Sequence, residues 1–289
     1  MGEYKSKRWL VTGATGLIGP ALCAQARAAG IEVLATSRSG HLQSHPVDLS
    51  IPGAIGAHLE AVQPDAVIHL GAISHPAQVA RDLPLATRVN VAASEEIARW
   101  CSRNNRWHLF ASTDQVFDGR AGPYAEDAPA TPVTAYGAMK LAAEQFTLDA
   151  GGLVVRLGWV LNDCGIGRAD FVRKSLPILR DGGVVCAVDD EYRTPATLSL
   201  VVQAICQLAK RRETGIVHVA GDRHVTPYQI LLEAALEAGL PGERVRRDTR
   251  LNLEPADRPA DLRLNTDRLA ALMFATSPAD ATPQKIDAG

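Results

Sequence analysis

Between Val11 and Gly19 the chain reads Val-Thr-Gly-Ala-Thr-Gly-Leu-Ile-Gly, directly after the apolar residues Trp9 and Leu10. Glycines recur at positions 13, 16 and 19. A strand must end there, a tight turn must follow, and a helix must open within a few residues. Gly13 permits the turn off the strand. Gly16 lets backbone approach a bound group without a Cβ between them. Gly19 allows the new helix to pack closely on a sheet. Free N–H groups and the dipole at such a helix start favour a phosphate anion. The segment predicts a strand, phosphate loop and helix that bind a dinucleotide.

Strand and helix patterns alternate through the residues that follow. Ile31–Ala35, Ala66–Leu70, Trp107–Ala111 and Leu153–Leu157 read as strands. Leu17–Ala29, Ala54–Val62, Leu85–Cys101 and Tyr136–Leu148 read as helices. This rhythm predicts a parallel sheet covered on both faces. After Leu157 it loosens into a polar, Gly-containing stretch from Asn162 to Arg168. Helices follow at Phe171–Arg180 and Ala196–Lys210, then a strand at Gly215–Ala220. A further helix starts after an N-cap Thr226 with Pro227 at its first position and ends near Gly239. From Ser277 the Pro/Ala/Asp-rich end reads as frayed. The expected class is α/β: a Rossmann-type doubly wound parallel sheet with a smaller C-terminal α/β substrate lobe. Residues 1–157 and about 190–222 would form the dinucleotide-binding domain, with about 158–189 and 223–289 as the lobe.

Bulk properties narrow the classes. With 289 residues, 46% hydrophobic and 21% charged, the chain has the composition of a folded protein rather than a disordered one. A net charge of −2 gives no footprint for nucleic acid or an anionic membrane. No apolar run is long enough for a membrane span, and Met1–Lys7 is too polar for a signal peptide. Met1-Gly2 with Ser6 fits a bare myristoylation pattern, but reads better as a polar lead-in to the first strand. Five scattered cysteines, with no C-x-x-C, point to a reducing, cytoplasmic setting.

The second strand ends Ala35-Thr36-Ser37-Arg38-Ser39, with no acid to bind a ribose 2′-hydroxyl. Arg38 can instead meet a 2′-phosphate, so NADP(H) is the expected cofactor. Tyr136 and Lys140 stand at i and i+4, on one helix face. An ammonium beside a phenol is expected to lower the phenol's pKa and fit it for proton exchange with a substrate oxygen. The fourth strand of this reading ends Ala111-Ser112-Thr113-Asp114, which puts a hydroxyl where ligands of such sheets bind. His41 and His45 are four apart, but Pro46 argues against a helical pair, and no metal site is expected.

Together these motifs resemble the extended short-chain dehydrogenase/reductase family. Ser112–Gly119, Pro64–Ile68, Arg156–Val160, Arg258-Pro259 and Arg263–Thr266 are similar to its dTDP-4-dehydrorhamnose reductase group, over about Trp9–Leu269. The resemblance implies hydride transfer from NADPH to C4 of a nucleoside-diphosphate 4-keto-6-deoxysugar. Tyr136 would be the acid, Lys140 would hold the nicotinamide ribose, and Thr113 would orient the carbonyl. Asn90 matches a helix asparagine of the family near the active site, or is an ordinary buried polar residue. Asp48 matches an adenine-contacting acid, or is a turn residue. The expected cofactor set is Gly13, Thr15, Gly16, Leu17, Ile18, Ser37, Arg38, Asp48, Leu49, Leu70, Gly71, Ala72, Asn90 and Ser112, with Tyr136 and Lys140. The expected substrate set is Ser74, His75, Asp114, Gln115, Trp159, Arg193 and Arg258. The two arginines would grip a diphosphate or form surface salt bridges.

Two departures bear on the substrate. His75–Val79 lacks the Asp-Lys pair of the reductases, and Gln115 stands where they carry Tyr. An epimerase, a ketoreductase on another secondary metabolite, and a non-catalytic NADP-binding subunit like that of methionine adenosyltransferase are the rival readings. A dehydratase would need Asp-Glu after the catalytic Thr, but Asp114-Gln115 follows here. Homodimer formation is left open.

Overall fold

A computed structural model describes residues 8–166, 170–252 and 258–274. The lead-in Met1–Lys7, with its myristoylation pattern, and the end from Ser277 lie outside the described residues. So does Arg168, the last residue of the polar stretch.

The first half runs β1 (Arg8–Thr12), α1 (Gly19–Ala28), β2 (Glu32–Ser37), β3 (His45–Pro46), α2 (Ala54–Val62) and β4 (Ala66–His69). It continues with α3 (Pro76–Arg81), α4 (Leu83–Thr87), α5 (Ala93–Arg103), β5 (Trp107–Thr113), α6 (Ala135–Asp149) and β6 (Leu153–Leu157). Then come β7 (Val160–Leu161), α7 (Phe171–Arg180), β8 (Val185–Val188), β9 (Ala196–Thr197) and α8 (Leu198–Arg211). The last elements are β10 (Gly215–Val219), α9 (Pro227–Glu237), β11 (Val245–Asp248) and α10 (Asp267–Phe274).

Seven parallel strands form one sheet in the order β10-β6-β5-β4-β1-β2-β3. All seven residues of β5 are buried, as a central strand covered on both faces requires. One face packs against α1 and α8, where Leu22, Val201 and Ile205 are fully buried. The other packs against α2 and α5, around Ile55, Leu59, Ile97 and Trp100. Strand order reverses between β1 and β4, so their carboxyl ends open a crevice between them. This is the doubly wound sheet the sequence predicts.

Beyond β6, α7, α9, β8 and β11 pack around Leu179, Leu231 and Ala235. Thr226 and Gln229 form a complete capping box at the start of α9. The pairing of β8 with β11 was not anticipated, because four-residue strands with one or two inward side chains leave little periodicity to read. The expected helix from Ala196 begins two residues later. Ala196–Thr197 pairs with β7, and the Thr197 side chain accepts from Leu200 N–H to cap α8.

The expected helix Leu85–Cys101 is interrupted. Arg88–Ala92 forms a π turn between α4 and α5. Its Asn90 accepts from Ile73 N–H at 2.8 Å and donates to Ile73 C=O at 3.0 Å. Such turns frequently mark functional sites. Asn90 therefore pins the backbone after β4.

Three buried histidines make the fold sensitive to acid. Burial pulls the pKa of His69 down to about 3, and those of His108 and His218 down to about 4. Both ring nitrogens of His108 are buried without a partner. An unfolded chain takes up these protons from its ordinary pKa near 6.5 downward, whereas the native state resists. Stability is thus fully present above about pH 6.5 and falls as pH drops toward 4. Each histidine contributes about 1.4 kcal/mol per pH unit in that window. Urea midpoints should fall steeply between pH 6.5 and 4.5, and His108→Leu should remove about a third of the slope. A flat midpoint across the window would contradict this account.

Candidate active site

The crevice is built on close backbone approach. Gly13 has φ of +65°, and a Cβ there would lie 2.8 Å from Gly71 N. A Cβ on Gly71 would in turn meet Leu49 Cδ1 at 2.7 Å. The two glycines let the ends of β1 and β4 touch. At Gly19 the expectation needs correction: a Cβ would strike Gly13 O and Ala14, within the loop itself rather than the sheet. No side chain caps α1, so its first N–H groups remain for a ligand. Thr15 and Gly16 lie in this loop, half-buried, and Leu17 and Ile18 pack on the main core.

A hydrogen-bonded chain locks this junction. Gly71 N–H donates to Thr12 Oγ1 at 3.0 Å, and Thr12 Oγ1 lies 2.7 Å from His69 Nδ1. His69 Nε2 lies 3.0 Å from Ser94 Oγ, which donates to Asn90 C=O at 2.9 Å. Ser94 has one proton, so it accepts from His69 Nε2–H. His69 is then neutral, with Nδ1 accepting from Thr12. Leu70, Gly71 and Ala72 therefore reach the crevice on a backbone fixed at both ends.

At the end of β2, Arg38 is exposed, with Asp48 as its charged neighbour. Asp48 Oδ1 accepts from Ser50 N–H and Oγ at 2.9 and 2.8 Å, and these bonds hold its carboxyl below the ordinary range. Ser37, just before Arg38 in the chain, is buried. Its Oγ is 2.6 Å from Ser44 Oγ and accepts from Gly40 N–H, so its hydroxyl shapes the loop.

Tyr136, Lys140 and Glu144 form one buried stripe of α6, one turn apart. Lys140 Nζ sits over the Phe110 ring, 3.9 Å from its centroid. Burial pulls Lys140 down to about 7, against the attraction of Glu144. Glu144 is bound on both oxygens by Arg156, at 2.8 to 3.2 Å, and accepts from Ser112 Oγ at 2.5 Å. Ser112 therefore faces Glu144, and of the two hydroxyls Thr113 is the one beside the Tyr136 phenol.

The expectation for Tyr136 itself is overturned. Burial first, and the charge of Asp114 second, push its pKa above that of an ordinary phenol, and the Thr113 hydrogen bond only partly offsets them. Lys140, itself pulled toward neutrality by burial, is not among the groups that shift it.

Tyr136 and Thr113 open onto a cavity of about 570 Å³. Ser74, His75, Asp114, Gln115, Trp159, Arg193 and Arg258 all line it, which brings the expected substrate set together. Arg193 does not serve as a free clamp. It is buried, with Nη1 2.7 Å from Asp114 Oδ2 and Nε 2.8 Å from Glu191 Oε1. Arg258 binds Glu191 Oε2 at 2.9 Å, but its side chain remains 23% exposed. Glu191, Phe171, Cys186 and Asp248 also line the cavity and were missed. Phe171 opens the expected helix α7, whereas Cys186, Glu191 and Asp248 sit in short strands or an irregular segment whose sequence carries no periodic signal. Among the described residues no group of three side chains could hold a metal ion.

Residues 7–282 match the family described as the RmlD substrate binding domain. The chain belongs to that family. A dTDP-4-dehydrorhamnose reductase of Streptomyces griseus is 32% identical over 269 residues, 90% of this chain and 86% of its own length. A crystal structure of a hypothetical dTDP-4-dehydrorhamnose reductase from Sulfolobus tokodaii has a TM-score of 0.84 at 27% identity, covering 93% of this chain and 96% of that one. Methionine adenosyltransferase 2 subunit beta of Xenopus laevis is 28% identical over 276 residues, 91% of this chain and 82% of its own length. For this RmlD-family chain, Glu144→Gln tests the buried stripe. It leaves Arg156 without a full counter-charge and should cost about 3–5 kcal/mol in chemical denaturation. A loss below about 1 kcal/mol would mean the pair carries no weight.

Proposed function

We propose that the chain is an NADPH-dependent ketoreductase acting on the 4-keto group of a nucleoside-diphosphate 4-keto-6-deoxysugar. One observation carries the reading: a protonated, buried phenol faces a substrate-sized cavity beside a glycine crevice that suits a dinucleotide. The fit rests on the positive-φ Gly13, the uncapped α1 and the exposed Arg38. The bound cofactor would supply hydride. Gly13, Thr15, Gly16, Leu17 and Ile18 would hold its diphosphate side, and Arg38 its 2′-phosphate. Asp48 and Leu49 would flank the adenine, with Leu70, Gly71 and Ala72 along the ribose.

Tyr136 would donate its proton to the carbonyl oxygen, and a phenol kept neutral suits that role. Lys140, drawn toward neutrality by burial, would bond the nicotinamide ribose. Residues about 158–189 and 223–289 would serve as the substrate lobe, with Ser74, His75 and Gln115 at the sugar end. Arg258 would take the diphosphate, since Arg193 is already paired. No described helix is long and apolar enough to cross a membrane, and all five cysteines are free, which supports a reducing, cytoplasmic setting.

NADPH oxidation with dTDP-4-keto-6-deoxyglucose or its epimer should be measurable. Tyr136→Phe should lower kcat by about 10²-fold or more, the usual scale of a lost general acid. Undiminished turnover in that variant would refute the assigned acid. A stoichiometric enzyme partner in a pulldown, with no reduction, would favour a regulatory subunit instead.

A further inference from the structure

We propose that Glu191 sets the charge selection of the substrate cavity: it favours a diphosphate esterified at both ends over a free nucleoside diphosphate. The inference rests on the nucleotide-sugar reading above and concerns the anion end of the same cavity. Among the described residues, four carboxylates line that cavity, Asp114, Asp170, Glu191 and Asp248, against two guanidiniums, Arg193 and Arg258. His75 aside, the lining is formally acidic. A ligand that brings two negative charges of its own therefore works against like charge.

Pairing leaves little positive charge free. Arg193 is buried and shared between Asp114 Oδ2 and Glu191 Oε1. Arg258 gives Nε and Nη2 to Glu191 Oε2, at 3.0 and 2.9 Å, and Nη2 also reaches Oε1 at 3.2 Å. One edge of its fork is taken, and among the described residues nothing bonds Nη1. That open end of a half-buried side chain is what a phosphate can meet. Asp170 and Asp248 form no ion pair among the described residues. Asp170 accepts from the backbone N–H groups of Asn162 and Arg173, and Asp248 Oδ1 from Thr249 N–H and Asn252 Nδ2.

Glu191 itself has no oxygen to spare for a ligand. Its side chain is 2% exposed, and both oxygens are filled by the two arginines. It acts through Arg258 and through its charge, as a positioning residue. Two effects oppose each other. Holding Arg258 still favours any anion, by about tenfold at most for one fixed side chain. A carboxylate about 5 Å from a phosphate on the next edge of the same guanidinium disfavours it by about 10²-fold per unit charge, at an effective dielectric of about 20. Repulsion is the larger effect, and it grows with the charge of the ligand. Each phosphate of a sugar nucleotide carries one charge. The terminal phosphate of a free nucleoside diphosphate loses a further proton near pH 6 and so carries more. Asp114 follows Thr113 at the reacting end, so the phosphate that bears the sugar is the one nearer the Asp114–Arg193–Glu191 chain.

The test is calorimetric titration of the whole chain with dTDP and with its β-methyl ester, in buffer free of divalent cations. The ester lacks the extra charge and also lacks the sugar, so no sugar contact enters the comparison. The wild type should bind the ester about tenfold or more tighter than dTDP. Glu191→Gln should tighten dTDP by about tenfold or more and shrink the preference to about threefold or less. Glu191→Asp keeps the charge and should keep the preference, and unchanged NADPH affinity marks each variant as folded. Should Glu191→Gln fail to fold, the wild-type comparison and Glu191→Asp still decide. Equal binding of the two ligands by the wild type, binding of neither, or a preference that survives in folded Glu191→Gln would overturn the proposal. An ester preference without any ketosugar reduction would defeat the ketoreductase reading and leave this one standing. Reduction without the preference would do the reverse.

Discussion

Contact between Gly13 and Gly71 is the constraint on which the rest of the molecule depends. With no side chain between them, two neighbouring parallel strands deliver their ends to one point, and two loops leave in opposite directions. Thr12 and His69, each next to or near these glycines, turn that contact into a hydrogen-bonded junction. Junction geometry then propagates through Ser94 and Asn90 to the π turn, and from Asn90 back to Ile73. The loop after β1, the loop after β4 and a helix are thereby held in one frame without a metal-ligand cluster or disulfide among the described residues.

The sheet and its two helical faces were legible because long apolar runs and 3.6-residue patterns are strong signals. The turn from β1 into α1 was legible for a different reason: three glycines at fixed spacing answer a steric demand that few sequences meet. Tyr136 and Lys140 could be placed on one face by counting alone. What counting could not supply was environment. The pKa direction of Tyr136 depends first on burial among Ile73, Val79, Ala86 and Met139, and then on Asp114, 22 positions earlier in the chain.

Arginines were the least legible residues. Arg38 and Arg193 are equivalent as letters, yet one is exposed and the other is buried between two acids. The partner that decides this, Glu191, lies in an irregular stretch with no motif. Asn90 could be read two ways from sequence. Its bonds to Ile73 now show a polar residue that shapes the site through backbone. Ser37 and Ser112 are similar: each stands beside the expected contact region and spends its hydroxyl on a neighbour.

The π turn at Arg88–Ala92 gives the region a geometric memory of one extra residue. Each residue of a regular helix advances the side-chain direction by about 100°. Shortening this segment by one would produce a smoother, locally more regular rod, yet swing Asn90 off the strand loop it grips. Evolutionary change in length is therefore cheap in the solvent-facing loops and expensive here, where regularity and register pull in opposite directions.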